Sequence, residues 1–258
     1  MKSIVVTIFG LGIAVIVGLF VWDRLAEKRP DIIPDPENFI ALPASLTNPS
    51  QAMKTIYLNR EGAVLRPGQD DASKNRSSIV AHLSTGRPVR IPAFSGSAAR
   101  WRAIAKCIRK QFSSFDVNIV EQRPVDDDNY LMAVFGGHAG LVGKRPSKGR
   151  HTTGLSPFTG KPVRRAVVLV FSKTLRNSVR NTCETAGMEI GHAYGLDHGY
   201  HCRDLMTYLG RCGSRIFLDK DLHCGEHQRR VCFGGEPRQN SHKWLARTLG
   251  LRKKFTRR

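Results

Sequence analysis

The chain has 258 residues, 41% of them hydrophobic and 24% charged, which suits one globular domain with a tail or anchor and excludes a wholly disordered protein. Lys and Arg number 41 against 21 Asp and Glu, a formal net charge of +20, so the surface attracts anionic partners without saying which. No collagen repeat or coiled-coil heptad is present, which removes the fibrous architectures.

In chain order, residues 3–22 come first: SIVVTIFGLGIAVIVGLFVW, 20 positions without a charge. As a helix rising about 1.5 Å per residue, this run spans about 30 Å, the thickness of a bilayer's hydrocarbon core. A secretory signal has an apolar region of about 7–15 residues and a small-residue cleavage site. Val21-Trp22-Asp23 is a poor one. A transmembrane anchor over residues 1–22 is expected, with a cleaved signal as the alternative. Lys2 on one side and Arg24, Lys28 and Arg29 on the other lean weakly against export; the cysteines discussed below lean toward it. Residues 23–54 hold five of the 13 prolines and read as an extended linker or short pro-segment.

The body follows over residues 55–250. Residues 56–59 (IYLN) form a short strand candidate, and residues 60–86 are polar and turn-rich. Ser97 is placed to cap a helix over 98–112, where Trp101, Ile104, Ile108 and Phe112 recur at helical spacing. Residues 115–122 form a strand with Val117 and Ile119 on one face, and residues 130–135 (YLMAVF) a more buried one. A glycine-rich loop over 136–160 carries His138 and His151. Residues 166–171 (AVVLVF) are wholly apolar, as in a strand covered on both faces. A helix starting near Asn181 or Thr182 buries Cys183, Ala186, Ile190 and Ala193 and ends at Gly195. Residues 196–239 show no strong periodicity. Asn240 or Ser241 caps a last helix that carries Trp244 and Leu245 and is closed by Gly250, and residues 251–258 form a basic tail. This order gives an α/β (α+β) fold, a sheet of three to five strands packed by helices.

Six cysteines, Cys107, Cys183, Cys202, Cys212, Cys224 and Cys232, stand behind an export-like segment, and an even number there suggests disulfides. The pairing expected is Cys107–Cys183, Cys202–Cys212 and Cys224–Cys232. The last four lie in a loop region with little core of its own, where short staples lower the entropy of the unfolded chain. Six reduced, buried thiols are the alternative. No C-x-x-C pair is present, which argues against zinc ribbons and thioredoxin-like sites.

The segment 183–198, CETAGMEIGHAYGLDH, carries the chemistry. Glu189 and His192 are three apart on one helix and share a face. Gly195 lets the backbone turn, and His198 returns three residues later. The spacing of Glu189, His192, Gly195 and His198 resembles the extended zinc-peptidase signature H-E-x-x-H-x-x-G-x-x-H of the metzincin clan. Downstream, residues 204–208 (DLMTY) resemble that clan's Met-turn, with Met206 as its methionine. Within the clan, residues 195–198 (GLDH) look most like matrixin-type bacterial domains. The resemblance spans about residues 54–250 and is sharp over 188–208.

It implies a metzincin-like twisted mixed sheet with an active-site helix, Met-turn, disulfide-rich loop and C-terminal helix. It also implies a zinc-dependent endopeptidase acting on a peptide or protein substrate. Glu189 would be its general base, His192 and His198 metal ligands, Tyr208 an oxyanion donor and Met206 the floor beneath the metal. One position departs from the pattern. Met188 stands where the first ligand histidine belongs, and a thioether suits Cu(I) better than zinc. Catalytic zinc usually has three protein ligands. Three completions are open: a further histidine, with His201 nearest and His138 and His151 beyond; Met188 itself as a weak third ligand; or an inactive pseudopeptidase serving as a binding module. The protein is expected to be membrane-anchored facing the periplasm or cell exterior, or secreted. Its basic tail is available to an anionic surface. No nucleic-acid motif accompanies the charge, so specific nucleic-acid binding is not expected.

Overall fold

The structure, a computed structural model, describes residues 53–143, 152–210 and 212–253. The expected anchor, most of the expected linker, His151 and the end of the basic tail lie outside these residues. Among the described residues no helix is long and apolar enough to cross a membrane.

Strands β1 (Thr55–Asn59), β2 (Ala63–Pro67) and β3 (Arg76–Ser77) come first, followed by a short helix α1 (Ser78–Leu83) and β4 (Val89–Ile91). Helix α2 (Ala98–Gln111) precedes β5 (Asn118–Val120), β6 (Tyr130–Phe135), β7 (Gly154–Leu155) and β8 (Val167–Val170). Helices α3 (Val179–Ala193) and α4 (Ser241–Leu249) follow. The main sheet has the order β5-β1-β6-β8-β7. Its first four strands run parallel, and β7 runs antiparallel along β8 at the edge. A smaller sheet has the order β3-β2-β4. The fold is thus mixed α/β with two sheets, several helices and three disulfides.

The unbroken apolar runs of β6 and β8 have a direct physical cause. Alternate side chains enter two separate cores, so neither face is left for water. Leu131, Ala133 and Phe135, with Val168 and Val170, join α2, α3 and α4 in the larger core. Tyr130, Met132 and Val134, with Val167 and Leu169, face the smaller sheet and α1. Cys107 on α2 is bridged to Cys183 on α3, tying together the two helices that cover one face.

Each long helix starts at a side-chain cap that satisfies an orphan amide. Ser97 Oγ accepts from Arg100 N at 3.3 Å, Ser178 Oγ from Asn181 N at 3.4 Å, and Asn240 Oδ1 from Lys243 N at 2.9 Å. Helix α3 therefore begins at Val179, two to three residues before the start expected from the sequence. Residues 60–86 are not simply turns, since they supply β2, β3 and α1. Leu65, Ile79 and Val80 from this stretch are buried in the second core. The expected strand 115–122 is shorter, because Phe115 and Val117 turn into the larger core before β5 begins. Two residues of the expected linker belong to the domain: Met53 is buried, its carbonyl accepting from Tyr194 Oη at 2.9 Å, and Lys54 pairs with Asp116 at 2.8 Å. Likewise the basic tail starts on the domain, with Leu251 bridged to Phe115 and Arg252 N donating to Ser114 O at 2.9 Å.

Candidate metal centre

Helix α3 presents its apolar stripe to the larger core and brings Glu189 and His192 to its C-terminal end, 9% and 7% exposed. The chain then reverses at Gly195, whose φ of +92° is left-handed. A Cβ there would also lie 2.9 Å from the backbone of Lys161, so glycine is required both for the turn and for the close approach. The reversal places Leu196 O 2.7 Å from His192 Nδ1. It also returns His198 to His192, with ring centroids 4.4 Å apart and planes at 88°. His198 Nδ1 lies 3.3 Å from Met206 O.

Both imidazoles therefore offer Nδ1–H to a backbone carbonyl and keep a lone pair on Nε2, the arrangement found in histidine metal ligands. Burial pushes the pKa of His192 down to about 3, aided by His198 beside it, and that of His198 down to about 4. Both rings are neutral donors at physiological pH. Burial pushes Glu189 up to about 8, and among the described residues its carboxyl has no hydrogen-bond partner. It lies against edge strand β7, where a Cβ on Gly154 would fall 2.6 Å from Glu189 Oε1.

Met206 is fully buried beneath this assembly. Its sulfur packs so closely on α3 that a Cβ on Gly191 would stand 2.5 Å from it. Asp204 fixes the turn: its carboxylate accepts from Met206 N at 2.8 Å and from Ser241 Oγ at 2.9 and 3.0 Å, joining the turn to the start of α4. The Tyr208 ring stacks edge-on to His198 at 4.6 Å and is 56% exposed. Phe158 covers His192 at 5.5 Å and contacts Phe233 at 5.0 Å.

Of the residues singled out in the sequence, Glu189, His192, Gly195, His198, Met206 and Tyr208 meet here. Met188 is half-buried and packs against the larger core. His201 points elsewhere, its Nδ1 accepting from Arg203 N at 3.2 Å. It does not join His192 and His198 in a group of ligand atoms within 4.8 Å of one another. His138 is exposed before a short 3-10 turn. The cysteines are joined as Cys107–Cys183, Cys202–Cys212 and Cys224–Cys232, with none free.

Sequence reasoning gave the Cys224–Cys232 bridge but missed the charged residues of the loop it closes. Its Arg230 grips Asp197 with two nitrogens at 2.6 and 2.8 Å and Glu226 at 2.6 Å. Asp197 also accepts from His198 N at 2.7 Å and Phe233 N at 2.8 Å. Burial raises the Asp197 pKa, but Arg230 and these amides outweigh it and hold the carboxyl below its ordinary range. The opposing carboxylates push Arg230 upward in turn. Glu226 Oε1 stands 4.0 Å from His198 Nε2. The signal for this loop was available: a short ring between two cysteines confines every charged residue it carries.

No family model matches the chain, and no curated protein matches it. Among solved structures, that of myroilysin is similar over 59% of this chain and 87% of its own, at 10% identity and a TM-score of 0.30.

Proposed function

We propose that this protein is an exported zinc-dependent endopeptidase, in which a metal-activated water attacks a peptide bond. The observation that carries this reading is the pair of buried imidazoles, each with Nδ1–H committed to a carbonyl so that Nε2 keeps its lone pair, beside a buried carboxyl that has no hydrogen-bond partner among the described residues. Such a donor set fits zinc, which takes imidazole nitrogen readily. When bound, zinc supplies a Lewis acid and a water acidified toward a pKa of about 7.

The chain's own groups have distinct tasks. Glu189 accepts the proton of the attacking water on a carboxylate oxygen and returns it to the leaving amine nitrogen. A metal cation held by the two imidazoles would favour the ionised form of Glu189 that burial opposes. Tyr208, whose ring packs edge-on to His198, would donate its hydroxyl to the developing oxyanion. Among the described residues strand β7 is an edge of the sheet, and it would offer backbone groups for a peptide to add as a further strand. Phe158 and Phe233 shield the metal side from water. Three disulfides support a domain that works in an oxidising compartment.

Zinc analysis of the purified chain, together with a peptide-cleavage assay of wild type and Glu189→Ala, tests this reading. One tightly held zinc per chain is expected, with cleavage lost in the variant while its fold persists. Unchanged cleavage in Glu189→Ala removes the proposed base. A second reading, a pseudopeptidase that binds a peptide or surface polymer, is favoured by Met188 packing with the core. It predicts binding without hydrolysis and no response to chelator.

A further inference from the structure

Helix α2 carries five basic residues and no acidic one. Trp101, Ile104, Ala105 and Ile108 take its buried face. Helical spacing therefore sets Arg102, Lys106 and Lys110, each four residues from the next, in one row on the solvent side. All three are exposed. The row ends where the parallel strands of the main sheet begin. Lys54, just before β1, reaches Asp116 at 2.8 Å. Asp116 N donates to Gly250 O at 2.9 Å, and Arg252 N to Ser114 O at 2.9 Å. Lys54, Lys110, Arg252 and Lys253 thus gather around the turn that follows α2.

The acid among them is already taken. The hydrogen bond and charge of Lys54 hold the Asp116 carboxyl below its ordinary range, with Arg252 and Lys253 adding to the effect. Among the described residues Arg102, Lys106, Lys110, Arg252 and Lys253 form no ion pair, so this end of the domain keeps an excess of positive charge. Leu251 stands in the middle of it, 58% exposed. That combination separates two kinds of anionic partner. A soluble polyanion engages cations alone, whereas a bilayer surface takes cations at its phosphates and an apolar side chain just beneath them. The chain also enters the domain at this end, through Met53, from a segment whose residues 3–22 carry no charge.

We propose that this end of the domain is a docking surface for the phosphate headgroups of an anionic bilayer. Lys110, Arg252 and Lys253 form its centre, Arg102 and Lys106 extend it along α2, and Leu251 enters the interface.

Lysine footprinting of the full chain, by acetylation and mass spectrometry, tests it. The chain is placed with vesicles of phosphatidylcholine, or with vesicles of equal parts phosphatidylcholine and phosphatidylglycerol. Lys106, Lys110 and Lys253 are expected to react about threefold or more slowly with the anionic vesicles, and to recover in high salt. Lys173, which follows the opposite end of β8, should react alike with both. In the triple variant Arg102→Gln, Lys106→Gln, Lys110→Gln, docking should weaken by about a hundredfold and the reactivity of Lys253 should return. Equal reactivity of the three lysines with both vesicles overturns the proposal. So does equal shielding of Lys173, or undiminished shielding of Lys253 in the triple variant. Shielding by soluble heparin but not by anionic vesicles also overturns it, and gives the surface to a polyanion in solution. None of these readouts involves zinc, so the peptidase reading stands or falls separately.

Discussion

Gly154 illustrates how little room is left around the proposed base. The Cβ of any other residue would meet the Glu189 carboxyl at 2.6–2.8 Å. In Gly154→Ala the carboxylate must swing aside, a cheap movement for a side-chain end but a serious one for a proton-transfer group. We expect the turnover number to fall at least tenfold while the melting temperature moves by only a few degrees, read by steady-state kinetics and calorimetry. Asp197 behaves differently, because it neutralises a guanidinium and accepts two amides while nearly buried. Asp197→Ala strands the two amides, while Arg230 keeps Glu226 as a partner, and should cost about 1–3 kcal/mol in urea unfolding. At this scale the spacing of Glu189, His192 and His198 made their convergence readable in the sequence. The pairing of Arg230 with Asp197 was not read, because Arg230 arrives through a loop without periodicity, about thirty residues downstream of His198, and only the two cysteines that close the loop marked it.

Among the elements, those that fill the sheet and its helical cover were plain in the sequence: residues 130–135 and 166–171 are apolar throughout, and Trp101, Ile104 and Ile108 mark α2. The second sheet was hidden. Strand β2 has only Leu65 fully buried among its five residues, and β3 has two residues in all. A strand that presents one apolar side chain has no pattern for a reader to count. The start of α3 was misplaced because Ser178, the true cap, follows residues 172–177 rather than an apolar boundary. The Cys107–Cys183 bridge joins α2 and α3 across 76 residues of sequence. Loop-closure entropy for a ring of that size predicts a loss of about 4 kcal/mol when both cysteines become alanine, measured by urea unfolding under non-reducing conditions.

For the molecule as a whole, two buried carboxyls set an acid-side trend. Burial raises Asp70 and Asp204 from 3.8 to about 6. The folded state then holds these protons more tightly than the unfolded state. Their contribution to stability is complete below about pH 4 and is lost as pH rises through about 6. Asp204→Asn removes one of the two groups. The stability of wild type relative to this variant should therefore decline between pH 4 and 6, by on the order of 3 kcal/mol, and level off above. A flat difference across that window would show that Asp204 does not retain its proton in the fold. The Cys224–Cys232 bridge has a further effect. A copy with these two thiols unjoined would keep helix α3 but lose the staple that confines Arg230 beside Asp197. Replacing both cysteines by alanine should therefore loosen the stretch after His198 before it loosens the sheet, so that the two halves of the domain would melt at different temperatures.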